Sequence, residues 1–316
     1  MSADNPNPFV YNTEFAEEAV RKNYEAHVQL LQELCAYGSN LLLRCFRERE
    51  NKLEDAILIG SLFRQFLTHL DATSVLLSKG CGDAALLHLR AMLEEEIYLN
   101  WLVKEQTPLR TKYFYVWNLR KRRRSNRMVD PTTDEAKTAK ATVGRDFEGV
   151  ITALQTVEHQ AEFSRQNANI DMILADPELA KIDRAFEALR KGKPYDVEWF
   201  KPCGVSSIAA IARDVKMGAH YRFFYSKWSE LMHSSGFFDH IWVDDQGASV
   251  EQIRDVEEIA NAISMSVSIA QGVFRLFIRR NRPGEINSFN RKYVNEWRMR
   301  AMNIPKMKID RQSADR

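Results

Sequence analysis

Residues 82–103 read Gly82-Asp83-Ala84-Ala85-Leu86-Leu87-His88-Leu89-Arg90-Ala91-Met92-Leu93-Glu94-Glu95-Glu96-Ile97-Tyr98-Leu99-Asn100-Trp101-Leu102-Val103, and they set an arginine in the middle of an apolar helical face. At about 100° per residue, Leu86, Leu93, Ile97 and Trp101 fall within one narrow arc. Arg90 falls inside that arc, and Glu94 sits one turn on at its edge. A guanidinium turned toward a core is costly unless it is paired, and Glu94 at i+4 offers the partner. The segment reads as one helix, capped by Asp83 and ended before Pro108. Consecutive helical residues point in different directions, so Glu95 and Glu96 are expected to face solvent.

The same periodicity runs through most of the chain. Helices are expected over 13–49, 53–78, 83–103, 108–127, 131–163, 177–190, 206–216, 219–234, 249–280 and 288–302. Lys79-Gly80 stops the second, Asp130-Pro131 and Asp176-Pro177 open others, and Ser249-Val250-Glu251-Gln252 reads as a capping box. Residues 237–243 read as a short extended piece, with Asp244-Asp245-Gln246-Gly247 as a turn. The expected fold is an all-α multi-helix bundle of nine or ten helices with no substantial sheet. Residues 1–12 read as a disordered or extended arm, 13–302 as a single helical domain with an embellishment around 130–205, and 303–316 as a polar tail.

Of 316 residues, 45% are hydrophobic and 28% charged, and the formal net charge is only +2. A chain so nearly neutral binds a polyanion through a local patch or not at all. No run of 18 apolar residues is present and the N-terminus is polar, so a cytoplasmic protein without a membrane span is expected. Cys35, Cys45, Cys81 and Cys203 lack metal spacing and read as free thiols.

A second informative stretch is Tyr221-Arg222-Phe223-Phe224-Tyr225-Ser226-Lys227-Trp228-Ser229-Glu230-Leu231-Met232-His233. Tyr225, Ser229 and His233 are four apart and line one ridge. If this helix packs on the first one, Arg90, Glu94, Tyr225, Ser229 and His233 meet in one partly buried pocket. Such a network fixes helix register at the least. As a site, it offers an arginine fork for phosphate or carboxylate and a histidine for acid–base work.

Arg90-Ala91-Met92-Leu93-Glu94, followed much later by Tyr225-x-x-x-Ser229-x-x-x-His233, resembles the bacterial all-helical family known as domain of unknown function 5677. The resemblance covers residues 55–240. That family is similar in style to the HEPN helical bundles, many of which are ribonucleases or components of toxin and phage-defence systems. The resemblance implies metal-independent RNA cleavage by a homodimer, with His233 as base and Arg90 stabilising the phosphorane. The HEPN motif, Arg then four to six residues then His, occurs at Arg64–His69, Arg21–His27 and Arg213–His220. Random placement predicts about two such matches. Met217-Gly218 interrupts the last of these, and Arg64 and His69 face different ways on their helix.

Six of the eight residues 120–127 are basic: Arg120, Lys121, Arg122, Arg123, Arg124 and Arg127. With aromatics before them, they read as an RNA- or polyanion-contacting surface or as a solvated helix end. His233, Asp239 and His240 lack the spacing of a metal site, and no Gly-rich phosphate loop or nucleophile elbow appears, so neither metal nor cofactor is expected. The leading functional expectation is therefore a HEPN-like ribonuclease or defence effector. The alternative is a non-enzymatic helical module that binds nucleic acid or a scaffold partner. A small-anion sensor using Arg90 and Arg222 is a third.

Overall fold

The computed structural model describes residues 11–47, 53–144, 149, 156–193, 196–232, 240–244 and 247–307. The fold is all-α. Among the described residues twelve helices run in the order α1 (Thr13–Asn23), α2 (Glu25–Arg47), α3 (Leu53–Ser78), α4 (Gly82–Lys104), α5 (Thr107–Val129), α6 (Asp134–Val143), α7 (Val157–Leu174), α8 (Pro177–Arg190), α9 (Ile208–Asp214), α10 (218–232), α11 (Ile259–Asn281) and α12 (286–302). The chain divides into two compact units, residues 106–208 and the remainder, so the second unit begins at α5 and not near residue 130.

The count exceeds nine or ten because two expected helices are each split. Tyr24 separates α1 from α2: its φ of −126° leaves the helical region while its ring is fully buried. The 131–163 pattern breaks at Gly144, whose φ of 68° suits glycine and terminates α6, and Thr156 then caps α7. The capping box at Ser249 does not form. Ser249 and Val250 lie instead in β2 (Gly247–Val250), paired antiparallel with β1 (Ile241–Asp244), and α11 starts only at Ile259. β-branched Val243 and Val250 flank the turn read from the sequence, and a two-stranded hairpin forms around it.

In the first unit, α2, α3, α4 and α11 make the core. Phe63 of α3 stacks on Phe277 of α11 with ring centroids 4.0 Å apart, and Phe274 packs edge-on beside them. Helix α11 is long and apolar enough to cross a membrane by length and composition alone. Here those apolar residues, from Ile259 to Ile278, are buried against α2, α3 and α4. α4 starts differently from expectation. Its N-cap is Cys81, and Asp83 lies in the first turn. Gly82 donates its N–H to the Asp255 carbonyl at 3.0 Å, and a Cβ there would approach that oxygen to 2.5 Å. Close backbone docking, rather than a side-chain cap, fixes this end.

In the second unit, α5 is the central helix and packs on α6, α7 and α8. Asp176 caps α8 through two backbone N–H groups, with Pro177 at the first position, as its sequence reads. The 196–204 segment is held by its aromatics: Trp199 and Phe200 are buried, and the Trp117 indole donates to the Val197 carbonyl at 3.0 Å.

Candidate functional site

α4 and α10 meet along a polar seam. The Arg90 Nε donates to Ser229 Oγ at 2.8 Å, and Nη2 donates to the Tyr225 hydroxyl at 2.6 Å. That hydroxyl donates to Glu94 Oε2 at 2.8 Å, while Arg90 Nη1 stands 3.6 Å from the same carboxylate. Ser229 in turn donates to the Tyr225 carbonyl at 2.7 Å. The guanidinium lies 4.4 Å from the centre of the Tyr225 ring, which stacks on Tyr221. Burial, and then the neighbouring Glu94 carboxylate, push the Tyr225 phenol well above its ordinary pKa. It is therefore a fixed O–H donor, not a base, at neutral pH.

Four of the five seam candidates thus come together: Arg90, Glu94, Tyr225 and Ser229. His233 lies outside the described residues, as does Asp239. Tyr225 closes a π turn spanning Tyr221–Tyr225, a wide turn that re-aims the rest of α10. Arg222 in the same turn is exposed.

The other flank of α4 differs from expectation. Glu95 does not face solvent. It is 5% exposed, and neither carboxylate oxygen has a hydrogen-bond partner. His69 Nε2 of α3 lies 3.6 Å from it, and His69 Nδ1 lies 3.0 Å from His88 Nδ1. Burial, with a smaller push from Glu94, raises the Glu95 carboxyl to about 9. Burial lowers both histidines, and His88 lowers His69 further. At pH 7 all three are neutral, so the 3.6 Å approach is a contact between an uncharged acid and an uncharged imidazole, not an ion pair. Glu96 is half-buried on another side, where Gly272 of α11 leaves room: a Cβ on Gly272 would come within 2.1 Å of its Oε1. Burial raises that carboxyl to about 8.

Sequence reasoning missed this cluster. The signal was the expected antiparallel pairing of α3 with α4, which turns His69 and His88 toward each other. Arg64 is exposed and joins no part of it. Of the other two motif matches, Arg21–His27 is broken at Tyr24, and Arg213–His220 at Lys216, whose φ is 63°.

In the second unit the basic run is only partly a surface. Arg120 is 4% exposed and binds Asp183, Glu187 and Asp196. Burial opposes its charge, but these three carboxylates outweigh that and hold it firmly cationic. The expectation that Arg120 grips a nucleic-acid backbone is corrected: its donors point inward at acids carried by α8 and by the segment after it. Arg123 pairs with Asp171 at 2.9 Å and Arg127 approaches Glu135 at 3.5 Å. Lys121 and Arg122 are solvent-accessible, Lys121 lying 4.2 Å over the Trp117 ring. Arg124 is half-exposed.

The four cysteines are free thiols, and burial raises Cys203 to about 11 and Cys35 to about 12. His240 stands 3.6 Å from Asp83 and 4.0 Å from Glu251. Among the described residues no group of three or more His, Cys, Asp or Glu side chains could hold a metal ion.

No curated protein and no solved structure matches the chain. One family does match, described as Family of unknown function (DUF5677), and its match runs over residues 56–248. That span takes in α3 through α10, and with them His69, His88, Glu95 and the whole Arg90–Tyr225–Ser229 seam. With more than half its length matched, the chain belongs to the DUF5677 family.

Proposed function

We propose that the solvent side of α4 is an acid–base site for metal-independent cleavage of RNA. The observation that carries this reading is the 3.0 Å approach of the His69 and His88 Nδ1 atoms beside a buried carboxyl. One proton lies between those nitrogens. With His69 Nε2–H directed at Glu95, His69 Nδ1 accepts, and His88 holds Nδ1–H and a bare Nε2. That lone pair takes the proton of a ribose 2′-hydroxyl, and the resulting oxygen attacks the adjacent phosphorus. The bond from phosphorus to the 5′-oxygen breaks, that oxygen takes its proton from water, and a 2′,3′-cyclic phosphate forms.

Arg90 lies two residues beyond His88 along α4, its side chain largely buried. Ser229 and Tyr225 anchor its Nε and Nη2, and Nη1, 3.6 Å from Glu94, keeps a hydrogen for a phosphate oxygen. Leu87 and the small Ala91 lie between His88 and Arg90 around the helix. The decisive assay is RNA degradation by wild type and His88→Asn in excess chelator. Cleavage that survives chelation and falls at least about 100-fold in the variant supports the reading. Intact RNA with wild type between pH 5 and 9 defeats it. The base must be unprotonated and both histidines are lowered, so kcat/KM rises with pH only below the usual imidazole range and is flat above it.

One observation favours a second reading. Arg90 already has three protein partners, as a register-fixing network requires. In that reading the chain is a non-enzymatic helical module whose solvent-accessible Lys121 and Arg122 contact RNA or DNA. RNA retained in a gel shift but never cut, with retention lost in Lys121→Gln/Arg122→Gln, selects it.

A further inference from the structure

The second unit holds a cleft of about 250 Å³ lined by five arginines, Arg120, Arg123, Arg124, Arg127 and Arg190, and by three carboxylates. Most of this charge is matched inside the protein. Arg120 is held by Asp183, Glu187 and Asp196, Arg123 by Asp171, and Arg127 by Glu135. Two arginines differ. Arg124 makes no hydrogen bond or ion pair with any described residue. Arg190 reaches Glu187 through Nη2 at 3.0 Å, but its Nε is buried with no hydrogen-bond partner. A buried N–H on a cation that meets no acceptor is unfavourable, and an anion in the cleft removes that cost.

The lining carries five arginines against three carboxylates, and Asp171 and Asp183 behind it bring the charges even, so the donors left over are those of Arg124 and the buried Nε of Arg190. A phosphomonoester is close to a dianion at neutral pH, and it offers three acceptor oxygens to those two guanidinium groups. The cleft lies below the size range of pockets for drug-sized ligands, so it takes one phosphoryl group with a small attachment. A cleft of that size admits one phosphoryl group and not the successive phosphates of an extended polyanion.

We propose that Arg124 and Arg190 form a pocket for a single phosphate dianion, free or as the terminal group of a phosphomonoester. The proposal does not rest on the RNA-cleavage reading, because its test contains no RNA. The full-length chain is titrated calorimetrically with inorganic phosphate and, separately, with adenosine 5′-monophosphate. The expected result is saturable one-to-one binding with Kd below about 1 mM, weakened at least tenfold in Arg124→Gln and unchanged in Lys121→Gln. Tighter binding of phosphate identifies the free ion, and tighter binding of the monophosphate identifies the ester. Arg124 has no partner among the described residues, so its variant melts with wild type and a loss of affinity cannot be a loss of fold. Arg190→Gln gives the same weakening if it folds, and if it does not, Arg124→Gln alone decides. No heat from either probe at millimolar concentration, or equal binding by Arg124→Gln, overturns the proposal.

Discussion

Arg90 and Arg120 are both arginines held by carboxylate and polar partners, yet they reach that state by opposite routes. Arg90 lies among Leu86, Leu93 and Ile97, and its apolar flanks turn it toward α10. Arg120 opens a run of cations, whose neighbours predict an outward, solvated side chain. It is nevertheless the more buried of the two, because α8 and the segment after it bring three acids to one place. Local pattern decides a charge's direction only where the flanks are apolar. Where the flanks are themselves charged, the partners on distant elements decide it.

Arg120→Met strains this comparison hardest. It leaves the largely buried Asp196 without its cation beside Asp183 and Glu187, which keep Arg123 and Arg190, and stability falls by about 3–5 kcal/mol in urea unfolding. A loss under about 1 kcal/mol would mean that the network is solvated after all. Glu95→Gln has a smaller effect of opposite sign that depends on pH. The Glu95 carboxyl titrates near 9 when folded against an ordinary value of 4.5, so the folded protein keeps a proton that the unfolded chain releases. Its contribution is complete below about 4.5 and is lost as pH rises toward 9. Glutamine stays neutral, so the variant gains about 1–3 kcal/mol over wild type at pH 8 and little at pH 4.5. Equal effects at both pH values would place Glu95 in water. Ser229→Ala is the mildest of the three: it removes one acceptor from Arg90, which keeps Tyr225 and Glu94, and it costs about 1 kcal/mol in thermal unfolding.

The sequence makes much of the first unit legible. Apolar periodicity marks α3, α4 and α11, and the four-residue spacing of Tyr225 and Ser229 places them against Arg90. It does not reveal Glu95. A wheel drawn for one helix assigns its charged run to solvent, but α4 is covered by α3, α10 and α11 together. Only a narrow strip remains open, and consecutive glutamates must point at neighbours: Glu95 toward His69, Glu96 into the space above Gly272. The missed breaks have the same origin. Tyr24 ends a helix through burial of its ring, and Gly144 through a positive φ, neither of which interrupts the apolar rhythm.

The wide turn at Tyr221–Tyr225 bears on how this family can vary in length. A π turn holds one residue more than an α turn over the same stretch of axis. Loss of the exposed Phe223 would let ordinary helical bonding close over the extra residue with everything after it left in phase, so Tyr225 and Ser229 would keep Arg90. Closing the turn to α with every residue kept would instead rotate the rest of α10 by about 100°, and Ser229 would leave the guanidinium. The turn is thus a place where the chain can lose a residue while the seam between α4 and α10 stays closed.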